Sequence, residues 1–120
     1  MKNKTLILGA SENPARYSYL ALNQLLRKGH EVIAIGKREG KVSGINIQTE
    51  QMPSKDIETV TLYLNPDHQK PYYDYILSLK PKRIIFNPGT ENEEFEDLAA
   101  KAGIAPIEAC TLVMLSTGQY

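Results

Sequence analysis

The chain is poor in the residues that build metal sites and disulfides. Cys110 is the lone cysteine among 120 residues, so no internal disulfide can form, and the sequence reads as that of a soluble cytoplasmic protein. His30 and His68 are the two histidines. Neither has a partner at metal-ligand spacing, so no metal site is expected and both read as structural or solvated. Neither charge is in excess: Lys plus Arg and Asp plus Glu both total 14. That excludes the broad basic face of a nucleic-acid or anionic-membrane binder, and it makes any anion site a local one. No apolar run approaches the roughly 18 residues of a membrane helix, and Met1-Lys2-Asn3-Lys4 leads into a predicted strand rather than a signal peptide. The length suits one core and is too short for a nucleotide domain plus a separate substrate domain, so residues 1–120 read as a single domain.

What is present is an alternation of short apolar runs and amphipathic segments. The first strand is predicted over Lys4 to Leu8. The loop Gly9 to Arg16 follows, then a helix over Ser18 to Lys28 with Leu22, Leu25 and Leu26 on one stripe and Gly29 as its stop. A second apolar strand spans His30 to Ile35. Between Gly36 and Glu58 the pattern weakens to a long loop, with a short extended pair at Lys41-Val42 and Ile45–Ile47 turning on Ser43-Gly44. The third main strand covers Thr59 to Leu64. Asn65 caps the next helix with Pro66 at its first position, and Tyr72, Ile76 and Leu79 form its buried stripe up to Lys80. A fourth strand, Arg83 to Phe86, ends in Asn87-Pro88-Gly89. Thr90 and Glu93 stand at capping-box spacing before a helix whose Phe95, Leu98, Ala99 and Ala102 form a stripe. The fifth strand, Ala105 to Ala109, contains Pro106, which cannot donate to a ladder and so belongs on a sheet edge. A short helix over Thr111 to Leu115 closes the chain.

This pattern predicts an α/β fold, an open, doubly wound sheet of five parallel strands in the order 3-2-1-4-5. Ligands of such sheets sit at the carboxyl ends of the strands. Those ends are Gly9 to Ser11, Gly36 to Arg38, Asn65-Pro66 and Asn87 to Gly89, all on one edge. The loop after the first strand is of the type that cradles phosphate, because amides at the start of the following helix lie together with the positive end of its dipole.

A dinucleotide fingerprint needs three glycines spaced GxGxxG and an acid after the second strand. Here Gly9 stands alone, followed by Ala10, Ser11 and later Pro14, and the second strand ends in Gly36-Lys37-Arg38. A basic pair suits a ribose that carries an extra phosphate. Plain NAD is disfavoured. NADP with its 2′-phosphate and coenzyme A with its 3′-phosphate both remain, as does the reading of Lys37 and Arg38 as two solvated cations.

Several segments together resemble a known family: GASENPARYSY at 9–19, IGKREGKVSG closing the second strand, LNPD at 64–67, FNPGTENEE at 86–94 and EACTLV around Cys110. The chain is similar along its whole length to the small CoA-binding domain family, single-domain Rossmann-like proteins related to the nucleotide-binding part of succinyl-CoA synthetase. The resemblance implies that Gly9, Ala10, Ser11, Arg16, Tyr17 and Ser18 line the diphosphate and ribose of CoA. It implies too that the segments after strands two, three and four flank the adenine and the pantetheine. No histidine here matches the phosphorylated histidine of the synthetase, so the ligase activity does not carry over.

Each candidate has a plainer role beside the ligand role. Arg16 can hold a phosphate or join a surface ion pair. Ser18 can cap its helix, Tyr17 can pack, and Asn65 can cap. Gly89 supplies backbone freedom in either case. Cys110 is either a thiol facing that of CoA or a buried, inert residue. Tyr72, Tyr73 and Tyr75 suit packing better than base stacking. The acidic run from Glu91 to Asp97 is explained by the dipole of its helix. The leading expectation is a binding module for CoA or an acyl-CoA with no catalytic activity, with a homodimer or a protein partner left open. An NADP-dependent oxidoreductase or a subunit of one, and a protein-interaction domain that binds no nucleotide, are the alternatives.

Overall fold

A computed structural model describes residues 4–120; Met1, Lys2 and Asn3, on which the reading of a direct run into the first strand partly rests, lie outside the described residues. The strands are β1 (Lys4–Leu8), β2 (Glu31–Ile35), β3 (Gly40–Val42), β4 (Ile45–Gln48), β5 (Ile57–Leu62), β6 (Arg83–Phe86) and β7 (Ala105–Glu108). They form one sheet in the order β3-β4-β2-β1-β5-β6-β7. Every pairing is parallel except β3 with β4.

Side chains alternate across this sheet with the period of two that strands impose. Leu6 and Leu8 of β1, with Val60, Leu62, Ile84 and Phe86, face a layer built by Ile76, Phe95 and Ala99. Ile7, between them in sequence, faces the other way with Val32 and Ala34, onto Leu22, Leu25 and Leu115. The first face is covered by α3 (Tyr73–Leu79) and α4 (Glu93–Lys101), the second by α1 (Tyr17–Arg27) and α5 (Thr111–Ser116). Continuous apolar strands are what burial on both faces requires.

The strand count and order depart from the five strands in order 3-2-1-4-5. The extended pair predicted in the long loop is the hairpin β3–β4, turning on Ser43 and Gly44, both at positive φ. Its second strand continues the sheet beside β2, with Ala34 opposite Ile47. That occupies the position assigned to the third main strand. The strand from Ile57 to Leu62 instead crosses to the far side of β1 and pairs with both β1 and β6. Its burial explains why: five of its six residues are buried and Glu58 is half-buried, a state available only between two strands and two helical layers. The strand order therefore reverses between β1 and β5, the place where ligands of open α/β sheets bind. β7 lies at the edge, as its Pro106 demands.

Helix boundaries also moved. The single helix after Asn65 is three pieces: α2 (Pro66–Gln69), a 3-10 turn at Lys70–Tyr72, and α3. Pro71 lacks the amide that a continuous α-helix would use. Asn65 does cap α2, its Oδ1 accepting from the amide of His68 at 3.0 Å. The cap of α4 is Asn92 rather than Thr90: Asn92 Oδ1 accepts from the Phe95 amide, and Glu96 accepts in turn from the Asn92 amide. The Thr90 hydroxyl donates to the Asn87 carbonyl. Of the α4 stripe, Phe95 and Ala99 are buried, while Leu98 and Ala102 are exposed.

Candidate functional site at the carboxyl edge of the sheet

A cleft of about 810 Å³ opens at the carboxyl ends of β1, β2, β5 and β6, within the size range of small-molecule and cofactor sites. Its near wall is the loop after β1. Gly9 holds φ +96°, and a Cβ there would lie 2.9 Å from the carbonyl carbon and oxygen of Tyr63, so the loop can run this close to β5 only as glycine. The amides of Gly9 and Ala10 both donate to the Ile35 carbonyl, at 2.8 and 2.9 Å. These two amides are therefore spent on β2.

Beyond Ala10 the loop is built from local turns. The Ser11 hydroxyl accepts from the Asn13 amide at 3.0 Å, Asn13 Oδ1 accepts from the Ala15 amide at 3.0 Å, and the Asn13 carbonyl accepts from the Arg16 amide. Such Ser and Asn turns are the usual chemistry of a tight loop. The chain then enters α1 with Arg16 as N-cap and no side-chain cap. Among the described residues, the amides of Ser11, Glu12, Tyr17 and Ser18 have no acceptor. First-turn amides left open in this way, at the positive end of a helix, favour an anion. Ser18 is buried in the first turn, not at the cap position, while Tyr17 is 71% exposed.

Arg16, Lys37 and Arg38 line the cleft with Ser11, Tyr17 and Ser18. All three cations are exposed, and among the described residues none of them forms an ion pair. Pro14 is exposed at the loop apex and does not line the cleft. Gly36 lies beneath it, buried against the Ala10 carbonyl.

The far wall comes from the segments after β5 and β6. Leu64, Asn65 and His68 line one part, Pro88, Gly89 and Thr90 the other. Pro66 is half-buried behind Asn65. Asn87, predicted as a ligand residue, is buried and committed inside the protein. Its Nδ2 donates to Thr61 Oγ1 at 2.6 Å and to the Leu62 carbonyl at 2.8 Å, and its Oδ1 accepts from the Thr111 amide at 2.8 Å. It ties β5, β6 and α5 together below the cleft. Cys110, half-buried at the N-cap of α5, does not line the cleft either.

The far wall is braced by a residue that the sequence reading passed over. Gln69 is fully buried, and its Nε2 donates to the carbonyls of Leu64 at 2.9 Å and Thr90 at 2.8 Å. One side-chain amide thus joins the two segments. Its Oε1 accepts from Asn92 Nδ2 at 2.9 Å, which also donates to the Tyr73 hydroxyl at 2.7 Å. Tyr73 stacks on Phe95 with centroids 4.3 Å apart, so this tyrosine packs as expected. A signal for Gln69 existed: it stands at i, with Tyr73 at i+4 and Ile76 at i+7, on the inward stripe. Glu12, Asn13, Glu39, Tyr63, Leu64, His68 and Thr90 are further lining residues not anticipated. Tyr63 contributes main chain; its hydroxyl is buried without a partner among the described residues, near Thr61 and Thr111, whose hydroxyls bond each other at 2.8 Å. Burial pushes its pKa up to about 12.

Among the described residues there is no cluster of side chains able to hold a metal ion, and no helix is long and apolar enough to cross a membrane. A mostly parallel α/β sheet whose strand order reverses between β1 and β5 is of the Rossmann-like class. The chain belongs to the CoA-binding domain family, whose profile matches residues 3–116. No curated protein matches it with significance. Among solved structures, a crystal structure of an uncharacterized protein is 52% identical, with a TM-score of 0.97 over 100% of this chain and 99% of that one. A conserved hypothetical protein from Pyrococcus furiosus is 27% identical, TM-score 0.81, over 92% and 97% of the two chains. An oxidoreductase from Bacillus cereus, 14% identical with a TM-score of 0.60 over 88% of this chain and 34% of that one, shares the fold alone.

Proposed function

We propose that this protein binds coenzyme A, or an acyl-CoA, in the cleft at the carboxyl edge of the sheet, and that it acts as a binding module without chemistry of its own. Membership of the CoA-binding domain family supports the ligand class. The observation that carries the finer reading is the assembly of three cations, Arg16, Lys37 and Arg38, without an ion pair among the described residues, around open amides at the start of α1. In this reading the amides of Ser11, Glu12, Tyr17 and Ser18 receive the diphosphate. Arg16 pairs with it bidentately, and Lys37 and Arg38 take the 3′-phosphate of the ribose. The pantetheine then runs along Leu64, Asn65 and Gly89 toward His68 and Thr90. No catalytic residue is assigned.

Calorimetric titration with CoA, dephospho-CoA and NADPH tests this directly, because the three differ in the phosphates on which the reading turns. CoA is expected to bind more tightly than dephospho-CoA, with NADPH silent. Binding of NADPH alone would replace the proposal with a reductase, and silence from all three would leave a domain kept for protein interaction.

A further inference from the structure

Glu12 is out of place in a loop that receives phosphates. A carboxylate beside a diphosphate is repulsive, yet Glu12 lines the cleft. Its position is explained by the segment that carries Lys37 and Arg38. Glu12 Oε2 accepts from the amide of Lys41 at 2.8 Å, and its side chain lies flat on Gly40. A Cβ on Gly40 would stand 2.6 Å from Glu12 Cγ and 2.7 Å from Oε1. At the other end of the same segment, Gly36 is pressed on the Ala10 carbonyl, and its amide donates to the Gln48 carbonyl at 2.9 Å. The three exposed residues Lys37, Arg38 and Glu39 are thus strung between two glycines, each packed on the loop after β1.

We propose that Glu12 is a positioning residue for ligand selectivity: by clasping Gly40 and Lys41 it fixes Lys37 and Arg38 where they distinguish a ribose bearing a phosphate from one without. This rests on the CoA reading. The carboxylate does not touch the ligand's discriminating group; it sets the end of the strap that does. Two flexible, exposed cations lose side-chain entropy on binding an anion, and a strap fixed at both ends spares the backbone part of that loss. Only the ligand with the third phosphate gains from it.

The test is the ratio of dissociation constants for dephospho-CoA and CoA, measured by calorimetry on the full chain for wild type, Glu12→Ala, Glu12→Gln and Gly40→Ala. The glutamine keeps an acceptor for the Lys41 amide and removes the charge. The alanine at position 40 leaves Glu12 in place but displaces its side chain. Glu12→Ala and Gly40→Ala are expected to shrink the ratio by about tenfold, the scale of one charge-assisted hydrogen bond. Glu12→Gln is expected to keep the wild-type ratio. An unchanged ratio in Glu12→Ala, equal loss of both ligands, or a Glu12→Gln ratio as low as that of Glu12→Ala would each overturn the clasp. A wild-type protein that binds CoA and dephospho-CoA equally, or neither, would instead refute the 3′-phosphate reading beneath it.

Discussion

The two walls of the cleft are built on different principles. The near wall, from Gly9 to Arg16 with the strap Gly36–Gly40, rests on close main-chain contact, Gly9 against Tyr63, Gly36 against Ala10 and two amides sharing the Ile35 carbonyl, with the side chains of Ser11, Glu12 and Asn13 closing its turns. The far wall is held by buried carboxamides, with Gln69 and Asn92 linked to each other and Asn87 below them. A main-chain wall tolerates no added Cβ but leaves amides and cations free at its surface. A carboxamide wall spends its buried polar groups on itself and carries no Lys or Arg among its lining residues. In the proposed reading the first receives the phosphates of CoA and the second its pantetheine.

This difference sets the order of mutational effects. Gln69→Leu keeps the volume but strands the carbonyls of Leu64 and Thr90 and the amide of Asn92 in a buried site. A loss of roughly 3 kcal/mol in unfolding free energy is expected from three abandoned partners, read from urea denaturation. A loss below about 1 kcal/mol would mean that the far wall does not depend on its amides. On the near wall, Gly9→Ala forces a side chain into positive φ and onto the Tyr63 carbonyl. The expected cost is about 2 kcal/mol, in the same denaturation experiment, accompanied by weaker CoA binding because the loop must move off β5. Equal CoA affinity in that variant would separate the loop from the ligand.

Arg16→Ala sharpens the contrast from the functional side. Arg16 is exposed and has no ion pair among the described residues, so its removal should leave stability within about 0.5 kcal/mol. CoA affinity should fall by about 1.5 to 3 kcal/mol, the value of a hydrogen bond to a charged group, measured by calorimetric titration. The converse result, stability lost and affinity kept, would make Arg16 a structural residue.

The near wall was the legible one. A glycine at a strand end, followed by small polar residues and a proline, announces a turn whose backbone matters more than its side chains, and Gly9 has that role. The extra strands were readable as a hairpin from Ser43-Gly44 and the alternation at Ile45–Ile47, but not their place in the sheet. That depends on which strand can be buried on both faces, a comparison of whole strands rather than of local pattern. The far wall was the obscure one because a carboxamide carries no directional signal in a sequence. Asn87, at a strand end, is predicted as a ligand residue, and its buried side chain satisfies Thr61, Leu62 and Thr111. Gln69 was passed over although it lies on the inward stripe of its helix. A polar residue at a core position of an amphipathic pattern is the sign of a buried network, since it must find partners there.

At its outer end the carboxamide wall meets carboxylates, and the smallest effect is expected there. Glu96, which accepts from the Asn92 amide, has its pKa raised, first by burial and then by its hydrogen bond to the Glu108 carboxyl, against the lowering effect of that amide. A carboxyl whose folded pKa lies above its unfolded value favours the folded state in its protonated form. Ionised, it costs stability, and that cost is present above the raised pKa. The cost is relieved as the pH falls through the raised pKa and is absent below the ordinary glutamate value of about 4.3. Glu108→Gln removes one of the two charges and keeps a hydrogen-bonding partner. The variant should therefore be more stable than wild type at pH 7 by about 0.5 kcal/mol, small because solvent reaches both groups, with the difference vanishing near pH 4. Thermal unfolding of the two proteins across that range reads the sign directly. A variant less stable than wild type at pH 7 would show that the pair holds α4 against β7 through a contact that needs the Glu108 carboxyl itself.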